Sequence, residues 1–295
     1  MNMKSKVIAG VVTMLLAVSC DEARSPMETV LYHRADSSAC AFMTMDAELP
    51  SGPGKVDARV REELSGVIDG ILSHITSYED ERFFEPYQGD AGDTEAMLDY
   101  YRQGAFSVIA RMSQQDADER AAYIMEDPDF TAEEKEQFLK DFPRWEYEFG
   151  LEKIDDTERY VVFRSMDYIY MGGAHGGVTG EGCLTFSKKD GSRITRFVDA
   201  SRADEMQPLM IEGLLGYYAG NGYDTTWDLL KESLFIEDGF LPLPSWPLYP
   251  TADGLCFTYQ QYEIASYAEG MPSFVVPYAG IEPFLTPEAK ALLGL

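Results

Sequence analysis

The chain has 295 residues, of which 51 are acidic and 24 are basic, and its formal net charge at pH 7 is −27. This charge argues against nucleic acid and anionic surfaces as partners and favours cationic ones at low salt, although acidity also keeps exported proteins soluble. The length allows one large domain or two small ones.

The first residues predict a bacterial lipoprotein signal rather than a folded element. Two lysines precede an apolar run from Val7 to Val18, which is too short to span a bilayer comfortably. The run ends at Ser19 and Cys20, and a small residue before a cysteine resembles a lipobox, with lipid on Cys20. The alternative is an ordinary secretory signal. We expect residues 1–19 to be removed, with their two lysines, which leaves a net charge of −29 on a lipid-anchored protein of the cell envelope.

A polar segment and a first module follow the signal. Residues 20–37 lack periodicity and predict a lipidated, flexible tether. The module of residues 38–144 begins with a strand over 38–49, a Pro-Gly turn and an amphipathic helix over 56–75. Its later elements are a helix over 95–115, an acidic stretch interrupted by Pro128, and a short helix to residue 142 that opens on a capping box at Thr131.

A second module, residues 145–295, begins where the helical period changes to alternation. The pattern predicts strands over 145–154, 160–170, 181–187 and 194–198. Helices over 203–218 and 226–234, strands over 254–261 and 273–277, and a helix over 287–293 follow, with Thr226 and Thr286 as N-caps. Helices grouped before hairpin-linked strands predict an α+β fold, an antiparallel sheet packed against amphipathic helices. The first module has too few strands to close a sheet alone, so we expect the two modules to share one core.

Three cysteines remain if Cys20 is acylated: Cys40, Cys183 and Cys256. They cannot all pair, and their apolar, strand-like surroundings predict buried thiols that act as small hydrophobes. Whether any two of them form a disulfide stays open. Their spacing suits no zinc site, and we expect neither a metal nor a cofactor.

The first candidate site is a glycine motif in which Gly172, Gly173, Gly176 and Gly177 surround His175. Backbone amides of such a loop could cradle a glycan or an anion, whereas a bulged turn between two strands is the simpler interpretation. The histidine could act as a ligand, as a base or as a structural hydrogen-bond anchor. Because no Asp or Cys adjoins it, the structural role is favoured.

The second candidate site is an aromatic and acidic segment containing Tyr262, Glu263 and Tyr267. Exposed tyrosines could stack on sugars or anchor a protein partner, although tyrosines in strands are often half-buried. If Glu263 met His175, the pair could activate water, which would make the protein a hydrolase or esterase of envelope glycans. The sequence supplies no serine elbow, other nucleophile or metal set for that chemistry.

The order of these motifs resembles a known family. The glycine motif is followed by Leu184-Thr185-Phe186-Ser187 with a Lys-Asp-Gly turn, a helix, Asp253-Gly254-Leu255-Cys256-Phe257, the segment from Tyr262 to Gly270, and Val275-Val276-Pro277-Tyr278. Residues 145–285 thereby resemble the extracellular domain of the anti-sigma factor RsiV and its relatives of unknown function. Residues 38–145 loosely resemble the deacetylase PdaC-type module that precedes it.

The resemblance implies an exported binding module, since relatives of this type sense lysozyme by binding it. Anti-sigma activity is not implied, because we expect a lipid anchor here and find no sigma-binding region. The favoured function is a non-enzymatic binding module for a wall component, such as peptidoglycan or another glycan, or for an exported cationic, lysozyme-like protein. The expected binding residues are Gly172, Gly173, His175, Gly176, Gly177, Tyr262, Glu263 and Tyr267.

Overall fold

The computed structural model describes residues 25–75, 81–90, 92–141, 143–173 and 176–295. A six-stranded sheet forms its centre. In order across the sheet, its strands are β1 (Thr29–Ser37), β2 (Ala41–Pro50), β3 (Trp145–Asp156), β4 (Tyr160–Tyr170), β5 (Val178–Ser187) and β6 (Arg193–Ile194). The signal sequence and Cys20 lie outside the described residues.

The sheet is antiparallel except between β2 and β3, which are parallel. Parallel neighbours need a long crossover connection. Here the crossover contains α1 (Lys55–Leu72), α2 (Thr94–Glu126) and α3 (Ala132–Lys140). The predicted α+β fold, with an antiparallel sheet packed against helices, is confirmed, and the parallel pair of β2 and β3 is the exception within this sheet.

One face of the sheet packs against α1 and α2. Alternate residues of β2 and β3 point to this face, and the same face of β4 and β5 continues it. Its buried members include Met43, Tyr147, Phe149, Phe163 and Phe186, which pack with the apolar side of α1. The sheet and this core contain residues from both sides of the predicted boundary at residue 144.

The rest of the chain forms a smaller layer on the opposite face. Its elements are α4 (Ala203–Gly220), α5 (Trp227–Leu230), β7 (Tyr249–Pro250), β8 (Gly254–Thr258), β9 (Ser273–Pro277), α6 (Tyr278–Ile281) and α7 (Pro287–Leu293). Strands β7, β8 and β9 form a three-stranded sheet. This layer packs on Tyr160, Val162, Cys183 and Ile194, so it covers only one end of that face.

The caps of the helices explain several boundaries. Thr131 forms the predicted capping box with Glu134, and Thr286 accepts a hydrogen bond from the backbone N–H of Ala289. Thr226 occupies the predicted N-cap position, but its side chain forms no capping hydrogen bond and α5 is a single turn, shorter than predicted. Helix α2 runs to Glu126, beyond its predicted end, since Pro128 is the first residue to oppose it and holds the residue before it in extended backbone.

The predicted tether is wrong in its second half, because Thr29–Ser37 form the edge strand β1. Even the three residues Ser25 to Met27 are tied to the fold. Lys188 Nζ donates to the carbonyl of Ser25 at 2.8 Å, and Lys153 Nζ donates to that of Met27 at 2.6 Å. Asp156 accepts from the Met27 amide and pairs with both lysines. We call Lys153, Asp156 and Lys188 the N-terminal clamp. No helix within the described ranges is long and apolar enough to cross a membrane.

Candidate functional site

The glycine motif forms the connection between β4 and β5. Gly172, Gly173 and Gly176 have φ angles of +73°, +123° and +75°, a region that side chains with a Cβ rarely adopt. Gly177 is buried, and a Cβ there would lie 2.1 Å from the ring of Tyr168. The glycines are therefore needed both for the turn and for the close approach of that ring. His175 lies outside the described residues, so its predicted roles remain predictions.

The second motif meets the first. Tyr267 Oη donates a hydrogen bond of 2.7 Å to the carbonyl of Gly177, which joins two segments about 90 residues apart in the chain. The ring of Tyr262 lies 5.9 Å from that of Tyr267. Tyr262 is 57% exposed and has a φ of +65°, which is strained for an aromatic residue. The exposed Tyr262 and the half-buried Tyr267 thus flank the glycine motif.

Two glutamines that sequence reasoning missed fix this arrangement. Strand β6 pairs with β5 only at Thr185 and Phe186. Along the earlier part of this edge, side chains just before the second motif hydrogen-bond to the backbone of β5. Gln261 Oε1 accepts from the amide of Thr179 at 2.9 Å, while Gln260 accepts from the amide of Glu181 at 3.1 Å and donates to its carbonyl at 2.8 Å. Gln260 therefore satisfies the backbone as a neighbouring strand would. In the sequence, the only feature that could have pointed to these glutamines is their position directly before Tyr262.

Glu263 supports the loop rather than a reacting group. One of its carboxylate oxygens accepts from the amide of Ser245 at 2.6 Å, and the other accepts from the amide of Gln260 at 2.7 Å. Both oxygens are therefore occupied by backbone donors, which ties two loops together. Within the described ranges no group of three or more His, Cys, Asp or Glu residues could hold a metal ion.

An open, acidic part of the sheet lies beside the two motifs. We call Asp46, Glu48, Glu146, Glu148 and Glu152 the acidic face. They share the side of the sheet opposite to α1 and α2. The three glutamates of β3 are exposed, and Glu152 pairs with Arg164. No ion pair to Glu146 or Glu148 occurs in the part of the chain that the structure describes.

Tyrosines border the acidic face at the end nearest the glycine motif. In the register of β3 and β4, Tyr170 lies opposite Glu146 and Tyr168 lies opposite Glu148. Burial, followed by the nearby Glu146 and Tyr267, raises the pKa of Tyr168 above its ordinary value. Negative carboxylates and aromatic rings therefore form one continuous surface, which suits a cationic ligand with apolar parts.

The opposite side of the same strands carries a partly buried acid. Asp167 lies beside Phe149 on the helix-covered face, and burial raises its pKa to about 6. Burial also raises the pKa of Tyr147, and the nearby Asp167 adds to that rise. The Tyr147 hydroxyl is buried and has no hydrogen-bond partner among the described atoms. Ionisation of Asp167 at this position therefore lowers the stability of the folded state as pH rises.

The described cysteines are free thiols. Cys183 and Cys256 are buried and Cys40 is partly buried, so the predicted burial is confirmed for two of the three. Burial raises the pKa of Cys183 to about 12, which keeps it protonated. Because the thiolate is the reactive form, Cys183 is not a nucleophile at neutral pH.

Part of the chain is similar to a protein family of unknown function. Residues 205–279, which include the second motif, match a family model described as "Protein of unknown function (DUF3298)". None of the curated proteins matches the chain.

Two crystal structures resemble the chain over most of its length. A DUF3298 family member from Bacteroides fragilis NCTC 9343 is 15% identical, with a TM-score of 0.60 over 90% of this chain and 95% of that one. A DUF3298 family protein from Pseudomonas aeruginosa PAO1 is 14% identical, with a TM-score of 0.53 over 91% of this chain and 98% of that one. At such identities the likeness shows a shared fold and carries no function.

Proposed function

We propose that the protein is an exported, lipid-anchored and non-enzymatic binding module whose partner is a cationic exported protein. The observation that carries the proposal is the acidic face. Glu146 and Glu148 project from strand β3 without a described ion pair, and Tyr168 and Tyr170 lie directly beside them. Such a surface steers a positively charged partner electrostatically and offers aromatic anchors to it.

The two motifs support the proposal at the edge of this surface. Tyr262 is exposed and strained, and strained backbone is retained where surrounding structure holds it in place. The hydrogen bond from Tyr267 to Gly177 and the glutamine contacts supply that support. The resemblance to the RsiV-like family, whose members bind lysozyme, suggests the same class of partner. No observation favours the hydrolase alternative, because both carboxylate oxygens of Glu263 accept backbone hydrogen bonds.

The N-terminal clamp gives this surface an orientation. Lys188 and Asp156 fix the start of the described chain near the end of β3, close to where β4 begins. Strand β4 then runs for 11 residues, about 33 Å, towards the glycine motif. With lipid on Cys20, the five residues from there to Ser25 reach at most about 18 Å. The binding end would therefore point away from the membrane.

Binding to hen-type lysozyme, as a soluble cationic probe, tests the proposed partner class. The domain lacking residues 1–20 should bind it at low salt and lose affinity as ionic strength rises through about 0.15 M. Glu146→Gln with Glu148→Gln should weaken binding at least about tenfold, because two negative charges leave the surface.

The matched control removes the same net charge elsewhere. Glu62 and Glu212 are exposed on α1 and α4. Glu62→Gln with Glu212→Gln should leave the dissociation constant within about twofold, as expected for charges outside an interface. Equal weakening by both pairs would show that only overall charge matters, and no binding at low salt would refute the proposal.

Membrane attachment is tested separately. Cys20→Ala should move the protein from the membrane fraction to the soluble fraction, because one acylated cysteine is the proposed anchor. Unchanged membrane association of this variant would refute the lipid anchor without affecting the binding result.

A further inference from the structure

The second half of α2 and all of α3 form a helical arm, residues 114–141, that buries little surface against the rest of the protein. The buried residues of α2 end at Ser113, apart from Ile124, although the helix continues to Glu126. Helix α3 has no buried residue at all. A helical segment that buries so little against its own chain has apolar side chains to spare.

Apolar side chains are indeed exposed along the arm. Tyr123 is 70% exposed, Met125 58% and Leu139 40%. Phe130 lies between two shallow cavities of about 580 and 450 Å³, which follow the two sides of α3. A cluster of this kind is more than the scattered exposed apolar residues of an ordinary surface, and it marks an interaction site.

The rim of these cavities determines the chemistry of the partner. Residues 114–141 contain ten acidic and three basic residues, a net charge of −7. Glu134, Asp141 and Arg120 line the first cavity, and Glu136 and Lys135 line the second, so the excess of negative charge belongs to the arm as a whole. An apolar groove on a strongly acidic segment complements an amphipathic segment with basic residues on its polar side.

We infer that the helical arm is a docking surface for a cationic amphipathic helix. The inference rests on the proposed function in one respect, the positive charge of the partner. The first cavity also adjoins the acidic face, since Tyr170, which borders that face, lines it. A single cationic protein would therefore meet the acidic face with its charged surface and the arm with a helix.

A helical peptide built of leucine and lysine is the probe, and fluorescence anisotropy measures its binding to the folded domain. Met125→Ser with Leu139→Ser removes apolar surface from one cavity without a change of charge. This pair should weaken binding at least about tenfold at physiological salt, as the peptide's apolar side loses its contact surface. A peptide with glutamine in place of lysine should bind at least about tenfold more weakly to the unaltered domain.

The control pair is Leu229→Ser with Phe235→Ser, two apolar residues exposed far along the chain at 69% and 58%. This pair should leave the affinity within about twofold. Peptide binding measures the arm and lysozyme binding measures the acidic face, so failure of the arm and failure of the proposed function are distinguished.

Four results would overturn the inference. The first three are the absence of peptide binding, equal weakening by the arm pair and the control pair, and equal affinity for the glutamine peptide. The fourth is dimerisation of the free domain that the arm pair abolishes, because a second copy would then cover this surface.

Discussion

The two faces of the six-stranded sheet differ in what covers them. In β3, Tyr147 and Phe149 are buried under α1 and α2, while Glu146 and Glu148 on the other face are exposed. Chain order explains the difference. The helices between β2 and β3 cover most of one face, whereas the layer that follows β6 covers only one end of the other face.

The comparison separates stability from recognition within single strands. Along β4, Tyr160 and Val162 are buried on the face that Tyr168 and Tyr170 continue, yet these last two lie beyond the covering layer. The open part of the sheet contributes few buried apolar side chains to the core, and it leaves charged and aromatic side chains accessible to a partner. We therefore expect substitutions on the covered face to affect folding and those on the open face to affect binding.

The largest expected effect is on the covered face. Phe163 is fully buried and packs edge to face on Phe186. Phe163→Ala should lower the free energy of unfolding by about 3–5 kcal/mol, through lost burial and a residual cavity. On the open face, Glu148→Gln should change it by less than about 0.5 kcal/mol. Urea denaturation followed by circular dichroism measures both, and similar losses would contradict the assigned difference between the faces.

The next effect concerns Asp167, the partly buried acid of the covered face. Because the folded state raises the pKa of Asp167 from 3.8 to about 6, the native protein binds this proton more tightly than the unfolded chain. The contribution to stability is complete below about pH 4 and is lost as pH rises through 6. Asp167→Asn removes this loss.

The variant Asp167→Asn should match the parent near pH 4 and exceed it by up to about 3 kcal/mol above pH 7, at about 1.4 kcal/mol per pKa unit. Urea titrations at several pH values give the difference curve. A difference that does not depend on pH would show that Asp167 is not held protonated by the fold.

The covered face was also the part that the sequence predicted best. Helix α1 and strands β3 and β4 were predicted from apolar periodicity, because an element buried on one side carries apolar residues at its own structural period. Strand β1 was missed since it is an edge strand, with His33 and Arg34 exposed or half-buried on its two sides. The parallel pairing of β2 and β3 was missed because no local pattern records a partner about 100 residues away.

The candidate site was predicted only in its parts. The glycines of Gly172 to Gly177 indicated a tight turn, and the exposure of Tyr262 is consistent with the predicted aromatic surface. The hydrogen bond that joins Tyr267 to Gly177 depends on the fold, and nothing in the spacing predicts it. The acidic face was also missed, because alternate glutamates in a strand are typical of any solvent-facing side of a sheet.

A smaller effect tests the junction between the open face and the glycine motif. Gly177→Ala would place its Cβ 2.1 Å from the ring of Tyr168, so the ring must move. We expect a loss of about 1–3 kcal/mol in unfolding free energy and weaker lysozyme binding. Gly216→Ala is the matched control, because a Cβ there meets nothing within 4 Å on α4 and should stabilise the protein by about 0.5–1 kcal/mol. A neutral Gly177→Ala would show that Tyr168 is free to rotate away.

The smallest effect concerns the hydrogen bond that joins the two motifs. Tyr267→Phe keeps the ring but removes the donor to the Gly177 carbonyl, which should cost about 0.5–1.5 kcal/mol. Tyr262→Phe is the control, because that hydroxyl makes no described hydrogen bond and its residue is exposed. If the junction positions the binding surface, Tyr267→Phe should also weaken lysozyme binding at a temperature where the variant remains fully folded. Unchanged affinity with the expected loss of stability would make this hydrogen bond a purely structural one and would confine recognition to the acidic face.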